Sequence, residues 1–521
     1  MPESTDVTTP YHHRPVPRLA EPPLHRHDVV VYGATVAGIT AAVELRRAGL
    51  TPLIVDPSGH LGGMTTSGLG RTDFGNRNAY RGLAARLYRE IGAFYTGAGR
   101  DREATVHEDG SVWYFEPSVA ERVLRRWIDE HEIEVVHRNQ ISSVATSHGR
   151  ITSIEVEDGT TYQADAFIDA SYEADLAALA GVSYRVGREA NSEFGETANG
   201  IQFGSPHHRF NLRVDPYVRP GRPDSGLLPL ISEAAPGTQG DPDLSVQAYN
   251  FRLCLTDRPD NRLPIPCPDG YDPARYELLG RYVRAGVLDV FDLNVALAGG
   301  KTDMNNRGAV GTDHIGANHD WPTGSPQRRQ EIFADHLSYT QGLLHYLQHD
   351  DSLPVAAREQ ALQWGLPADE FTDTGGWPRQ LYVREARRIV GQFTMTEPHV
   401  RGFLPVPDVV AFGSYGLDSH HCRRVLIDGA AVNEGDVEHP VGSPYGIALG
   451  SLLPQPGECT NLAVPVCVSA THIAYGSIRM EPVFASLGEV AGVVVGQAIT
   501  TGRAVQEVPY ATVSERLNQL A

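Results

Sequence analysis

Cysteine is scarce: five residues (Cys254, Cys267, Cys422, Cys459 and Cys467) in a chain of 521, with no CxxC pair. Five are too few for a disulfide framework, and their spacing fits neither a zinc ribbon nor a dithiol redox motif. Positive charge is also short, since 44 Lys and Arg face 64 Asp and Glu, a net charge of −20. Phosphate-backbone binding needs a basic face, and an anionic membrane would repel this chain, so neither nucleic acid nor membrane is an expected partner. No run reaches the roughly 18 apolar residues of a membrane span; residues 484–499 come nearest and carry Glu489 inside. Residues 1–27 lack an apolar segment and are rich in Pro, His and Arg. They read as a mobile leader rather than a signal peptide, so a cytoplasmic protein is expected. What abounds is glycine (53) and proline (36), which points to turns and close backbone approaches, not to a helical bundle.

The first globular residues are the most informative. An apolar run at 28–32 meets Gly33, Thr35, Val36, Ala37 and Gly38, then a helical pattern to Ala48 and a second apolar run ending at Asp56 and Pro57. Strand, glycine turn, helix, strand and acid in this order predict a βαβ unit that binds a dinucleotide. The helix N-terminus would face a pyrophosphate and Asp56 a ribose. Thr35 stands where the usual pattern has a third glycine. Next comes a loop, His60 to Gly70, containing Gly62, Gly63, Met64 and Thr65, suited to backbone passing close to a flat or charged ligand.

Further on, Pro117 opens a helix to about His131, a strand follows at 133–136, and 141–174 alternates as a β-meander closing near Ala170. Residues 184–410 are irregular, with helices expected at 327–348 and 380–390. Sheet character returns at 461–468, before a helix with Gly488, Gly492 and Gly496 on one face. The expected fold is α/β: a discontinuous, three-layer Rossmann-like nucleotide domain with a β-meander, from 28–183 and 411–505, around an inserted α+β substrate domain at 184–410. Residues 506–521 form a tail. No second glycine fingerprint suggests a separate nicotinamide site.

Together the 33–38 turn, the 60–70 loop and segments 115–120, 167–175, 247–252, 301–306, 375–388 and 475–482 resemble the bacterial FAD-dependent oxidoreductases. That family belongs to the glutathione-reductase-like flavoproteins and is similar in plan to fumarate reductase and succinate dehydrogenase flavoprotein subunits. The resemblance, over about 28–500, implies FAD as cofactor, with pyrophosphate at Gly33 to Gly38, ribose on Asp56, and the 62–65 loop along the flavin. The helix after Met480 would aim its N-terminus at the flavin ring. His472, Tyr475 and Arg479, just before it, become catalytic candidates, with His472 as base. His420, in a cluster from Asp418 to Arg424, is another. Tyr249, Asn250, Arg252, Asn305 and Arg384 are candidate substrate-binding residues suited to a polyhydroxylated small molecule. Arg384, Arg387 and Arg388 would share a helix face. His314 and His319 offer a poor metal pair, and no metal is expected. Covalent FAD is not indicated, since no His follows Gly63 in the loop.

The expected activity is dehydrogenation of a small hydroxylated, sugar- or cyclitol-like substrate, with reoxidation by oxygen or an external acceptor. Reduction of an unsaturated carboxylate is the alternative within redox chemistry; a flavin-binding module without turnover is the alternative outside it. Homo-oligomerisation is left open.

Overall fold

The computed structural model describes residues 9–100, 102–291, 293 and 295–520. Its first layer follows from the apolar runs. Strand β1 (Leu24–Tyr32) pairs in parallel with β2 (Pro52–Val55), and β2 with β3 (Glu134–Val136). Val29 to Tyr32 and Leu53 to Val55 are buried, as expected of strands covered on both faces. Helix α1 (Val36–Arg47) joins β1 to β2, while α2 (Gly82–Gly97) and α3 (Pro117–Glu130) lie between β2 and β3 in sequence.

The meander is β4 (Ile141–Ser147), β5 (Arg150–Val156) and β6 (Thr161–Asp169), antiparallel throughout. β6 also runs parallel to β1, with Phe167 opposite Val30. Its first half thus carries the meander and its second half closes the nucleotide sheet.

The middle of the chain is held by short elements. β7 (Leu253–Thr256) and β8 (Lys301–Met304) pair antiparallel, setting Asp303 opposite Cys254. Helix α4 (Pro326–His349) is the long helix predicted there, capped by Ser325. β9 (Leu417–Ser419) and β10 (Val437–His439) form another antiparallel pair. The chain then returns through β11 (Leu462–Ala463), parallel to the end of β6, into α5 (His472–Ile478) and α6 (Glu481–Thr501). The nucleotide sheet is therefore built from both ends of the sequence, as expected, although its last strand is only two residues long.

α6 is apolar and long enough to cross a bilayer, yet it is buried against α1. The glycine stripe permits that contact: a Cβ on Gly488 would lie 2.1 Å from the Ala37 carbonyl oxygen, and one on Gly492 2.7 Å from that of Ala41. Glu489, the charge inside this apolar run, accepts a hydrogen bond from Leu83 N at 3.1 Å at the start of α2. Burial pushes its carboxyl up to about 7.

The leader also makes contacts where it is described. Leu24 to His27 begin β1, Leu19 N donates to Asp158 O at 2.8 Å, and His13 Nε2 lies 2.8 Å from Glu157. Residues 1–8 lie outside the described residues.

Residues 380–390 differ from expectation. They form no helix: Tyr382 is bridged to Asn250, Val383 N donates to Leu381 O at 3.0 Å, and Arg388 pairs with Arg185 in a two-residue strand. Tertiary partners override the local helical pattern here, because each arginine finds its acid on another segment. Arg387 reaches Asp175 at 2.6 Å and Arg388 reaches Glu189 at 2.8 Å.

Candidate active site

Two cavities carry the candidate residues; Gln380, Leu381 and Val383 line the first of them. The first lies at the C-terminal end of β1, where an open α/β sheet places its ligand. Gly33, with φ +105°, turns the chain so tightly that a Cβ would lie 2.9 Å from the backbone of Ala170 and Ser171. Thr35, at the position usually held by glycine, caps α1: its hydroxyl accepts from Gly38 N at 3.2 Å and donates to Ala170 O at 2.8 Å. The threonine thus locks turn, helix and β6 together while leaving the helix N-terminus toward the cavity.

Asp56 ends β2 and lines the same cavity. Its carboxylate accepts from Ala34 N at 2.7 Å and Ser58 N at 2.9 Å. Burial raises its pKa, but His137, Ser58 and Ala34 outweigh that and hold it below the usual value. Pro57 and Gly63 line the cavity too. Gly62 N donates to Ala34 O at 2.7 Å, fixing the 60–70 loop against the turn. Met64 N donates to the Tyr172 hydroxyl at 2.9 Å, and Thr65 donates to Glu481 at 2.6 Å. Glu481 opens α6 and also accepts from Tyr172 at 2.9 Å; burial pushes its carboxyl up to about 7. Val36, Ala37 and Gly38 are buried in the first turn of α1. Gly488 serves helix packing and is not among the cavity residues. His60 faces the cavity, and its buried Nε2 has no hydrogen-bond partner among the described residues.

The second cavity holds about 500 Å³ and is strongly polar. Arg252 lines it, clamped by Asp303 through two bonds of 3.0 and 2.6 Å. Asn305 lines it as well, accepting from Asn250 Nδ2 and Arg384 at 3.1 Å each. Asn250 and Arg384 therefore stand behind the wall. Tyr249 is deeper still, edge-on to Trp321 with ring centroids 5.9 Å apart.

His420 also faces this cavity. Its Nδ1 lies 2.6 Å from Asp313, which in turn lies 2.9 Å from Arg384. Burial, with Arg384 nearby, drives the imidazole well below its ordinary pKa. Asp313 is shifted upward by burial, against the pull of Arg384. An acceptor on Nδ1 places the proton there and leaves Nε2 as the free lone pair.

His472, Tyr475 and Arg479 do not line the cavity. Both ring nitrogens of His472 are engaged, Nδ1 by Glu385 at 2.8 Å and Nε2 by Ser419 at 3.0 Å. The Tyr475 hydroxyl donates to Val466 O at 3.2 Å. Arg479 donates to the Tyr382 hydroxyl at 2.8 Å and to Asp418 at 3.2 Å. His314 and His319 are spent apart, on Asp335 at 2.7 Å and Cys422 O at 3.0 Å, so they form no metal pair.

Gln380, Leu381 and Val383 line the first cavity. Tyr382 faces away, with the guanidiniums of Arg384, Arg479 and Arg252 at 4.9, 5.7 and 5.8 Å from its ring.

Sequence reasoning missed Asp313, which is 107 positions from His420, and Arg71, Asp73, Arg307, Tyr415 and Glu438 in the cavity wall. No motif marks them, because each becomes a neighbour only through the fold.

The sequence pattern of the family described as FAD dependent oxidoreductase matches residues 28–517. Among curated proteins, none matches the chain. Similar solved structures include L-proline dehydrogenase from P. horikoshii, at 12% identity over 32% of this chain and 59% of that one, with a TM-score of 0.24. The 3-ketosteroid-delta4-(5alpha)-dehydrogenase of Rhodococcus jostii RHA1 is 12% identical over 32% and 51%, with a TM-score of 0.21. The OxyS anhydrotetracycline hydroxylase of Streptomyces rimosus is 15% identical over 35% and 41%, with a TM-score of 0.23. The chain spans only about half the length of these proteins.

Proposed function

Since this chain belongs to the FAD-dependent oxidoreductase family, we propose that it dehydrogenates a small hydroxylated substrate held in the 500 Å³ cavity, with His420 as the base. The observation that carries this reading is the His420–Asp313 pair, 2.6 Å apart, at the wall of that cavity.

The first cavity has the donors that FAD needs. Gly33 and the α1 N-terminus suit the pyrophosphate, Asp56 and Ser58 suit the ribose, and His60 Nε2 is a buried polar atom with no partner among the described residues. FAD, when bound, supplies a two-electron acceptor for hydride.

The protein's own residues do the rest. Asp313 holds His420 in the tautomer that presents the Nε2 lone pair to the cavity, and its carboxyl beside Nδ1 would offset the burial that disfavours the imidazolium once a proton is taken. A substrate C–OH would lose its hydroxyl proton to Nε2 and its carbon-bound hydrogen, as hydride, to the acceptor, leaving a carbonyl. Arg252, fixed by Asp303, and Asn305, fixed by Asn250 and Arg384, are preorganised hydrogen-bonding groups for neighbouring hydroxyls. Oxygen or an external carrier would take the electrons onward.

A second reading draws on Arg71 and Arg307. Both line the cavity, and neither has a carboxylate within ion-pair distance among the described residues. Two such guanidiniums suit an anionic substrate, such as an unsaturated carboxylate awaiting reduction.

The test starts from the visible spectrum of purified protein and the FAD released by acid, followed by anaerobic addition of sugars, cyclitols and sugar acids. Bleaching of the flavin by one of them supports dehydrogenation. Reoxidation of chemically reduced protein by an enoate, without any bleaching, would replace it with the second reading.

A further inference from the structure

The cavity around Gly33 and Asp56 has a wall that the family fingerprint does not supply. Tyr11 and His12 line it together with Thr35, Asp56 and Ser58, and Tyr11 and His12 also border an adjoining space with His60 and Arg379. These two residues come from the leader, before the first strand of the sheet.

The segment is held in place at several points. Gln330 Oε1, on α4, accepts from His12 N at 2.7 Å and from His13 N at 2.9 Å. His13 Nε2 meets Glu157, just past β5, at 2.8 Å. Arg18 pairs with Glu155 at 2.8 Å. The leader therefore ties the substrate-side helix to the meander, crossing the cavity on its way.

The side chains it turns to the cavity, Tyr11 and His12, are aromatic. The His12 ring lies 4.5 Å from the Trp321 ring and 6.4 Å from Phe333, and both of those also line the cavity. Burial, helped by Arg329, lowers the His12 pKa to about 3, so the imidazole is neutral at any ordinary pH. Tyr11 carries the Arg14 guanidinium 3.7 Å from its ring centroid. The glycine turn and Asp56 offer hydrogen bonds for phosphate and ribose, but no flat surface for a base. Tyr11, His12, Trp321 and Phe333 offer one.

We propose that Tyr11 to His13 form a strap that completes the adenosine end of the FAD site, its aromatic side chains enclosing the adenine. This inference rests on the placement of FAD in the Gly33–Asp56 cavity. Release of the cofactor then requires the strap to lift from Gln330, so affinity depends on residues outside the dinucleotide fold.

The experiment is a flavin-fluorescence titration of apoprotein with FAD for three proteins: the full chain, a chain lacking residues 1–13, and Gln330→Ala. Gln330 does not line the cavity, so its loss loosens the strap without altering the pocket surface. Base stacking on aromatic side chains commonly changes affinity by about 5- to 100-fold. The truncation is expected to raise Kd by at least roughly tenfold on that scale, with Gln330→Ala between it and the full chain. Thermal melting of the apoproteins separates binding from folding: a strap that only braces the fold lowers the apo Tm and leaves Kd unchanged. Unchanged Kd in both variants overturns the strap, and so does tighter binding, which would make the segment a plug. A full-length chain that binds no FAD overturns the cofactor placement itself, and the strap with it.

Discussion

The two cavities are built by different means. The turn end of the first cavity is shaped by backbone: a left-handed turn at Gly33 and a capped helix, itself seated by the glycine stripe that lets α6 lie on α1. The second cavity is walled by side chains that hold one another across long stretches of sequence, Arg252 on Asp303, His420 on Asp313, Arg384 on Asn305. Backbone geometry tolerates almost no substitution, because an added atom must displace a main chain. A side-chain network tolerates a change of size but fails when one buried partner loses the other. The first kind of cavity should therefore break as a fold, and the second as a chemistry.

Gly488→Val is the severest test of the first kind. The new side chain would start 2.1 Å from the Ala37 carbonyl oxygen, so α6 must leave α1, and little soluble, FAD-loaded protein is expected on purification. A variant that retains full flavin content and an unchanged melting temperature would show the contact to be dispensable.

His420→Gln tests the second kind. It keeps the size and polarity of the wall but removes the base, so kcat/KM should drop by about 10²- to 10⁴-fold, with Tm and flavin content near those of the parent. Loss of flavin as well would mean that the two cavities are not separable in this way.

The pH profile sharpens the same point. In the proposed reaction His420 works unprotonated, so the rate should fall as pH drops through its pKa. Burial places that pKa well below 6.5; kcat/KM should stay level through near-neutral pH and decline only in more acid solution. An acid limb centred near or above 6.5 would assign the proton transfer to another group.

The smallest effect is expected at Thr35. Thr35→Ala removes the cap on Gly38 N and the bond to Ala170 O, but leaves the turn intact. Loss of an N-cap costs about 1 kcal/mol, measurable as a shift in denaturant midpoint, with activity retained.

Legibility in the sequence followed the same division. The βαβ unit, the meander and the returning helix were all readable, because apolar period, glycine and chain order are local signals. The substitution at Thr35 looked like a departure from the fingerprint, yet its hydroxyl does the capping. The stretch 380–390 misled. Its arginines are spaced like a helix face but lie on an irregular stretch, since Asp313, Asp175 and Glu189, on three other segments, each hold one of them. His472 stood out by position before the last helix, but Glu385 and Ser419 occupy both of its nitrogens. His420 was one of two adjacent histidines, and nothing local said which of them faced the cavity.

The sequence by itself determined the strand–turn–helix around Gly33, because short-range sterics leave Gly33 and its neighbours few alternatives. It also determined the family, through several unusual segments along the whole chain. Only the tertiary structure decided which histidine has a carboxylate behind it and an open nitrogen in front, and that leader residues reach the nucleotide cavity. Those choices depend on contacts between residues one hundred to three hundred positions apart, and pairing at that distance leaves no periodic trace in the chain.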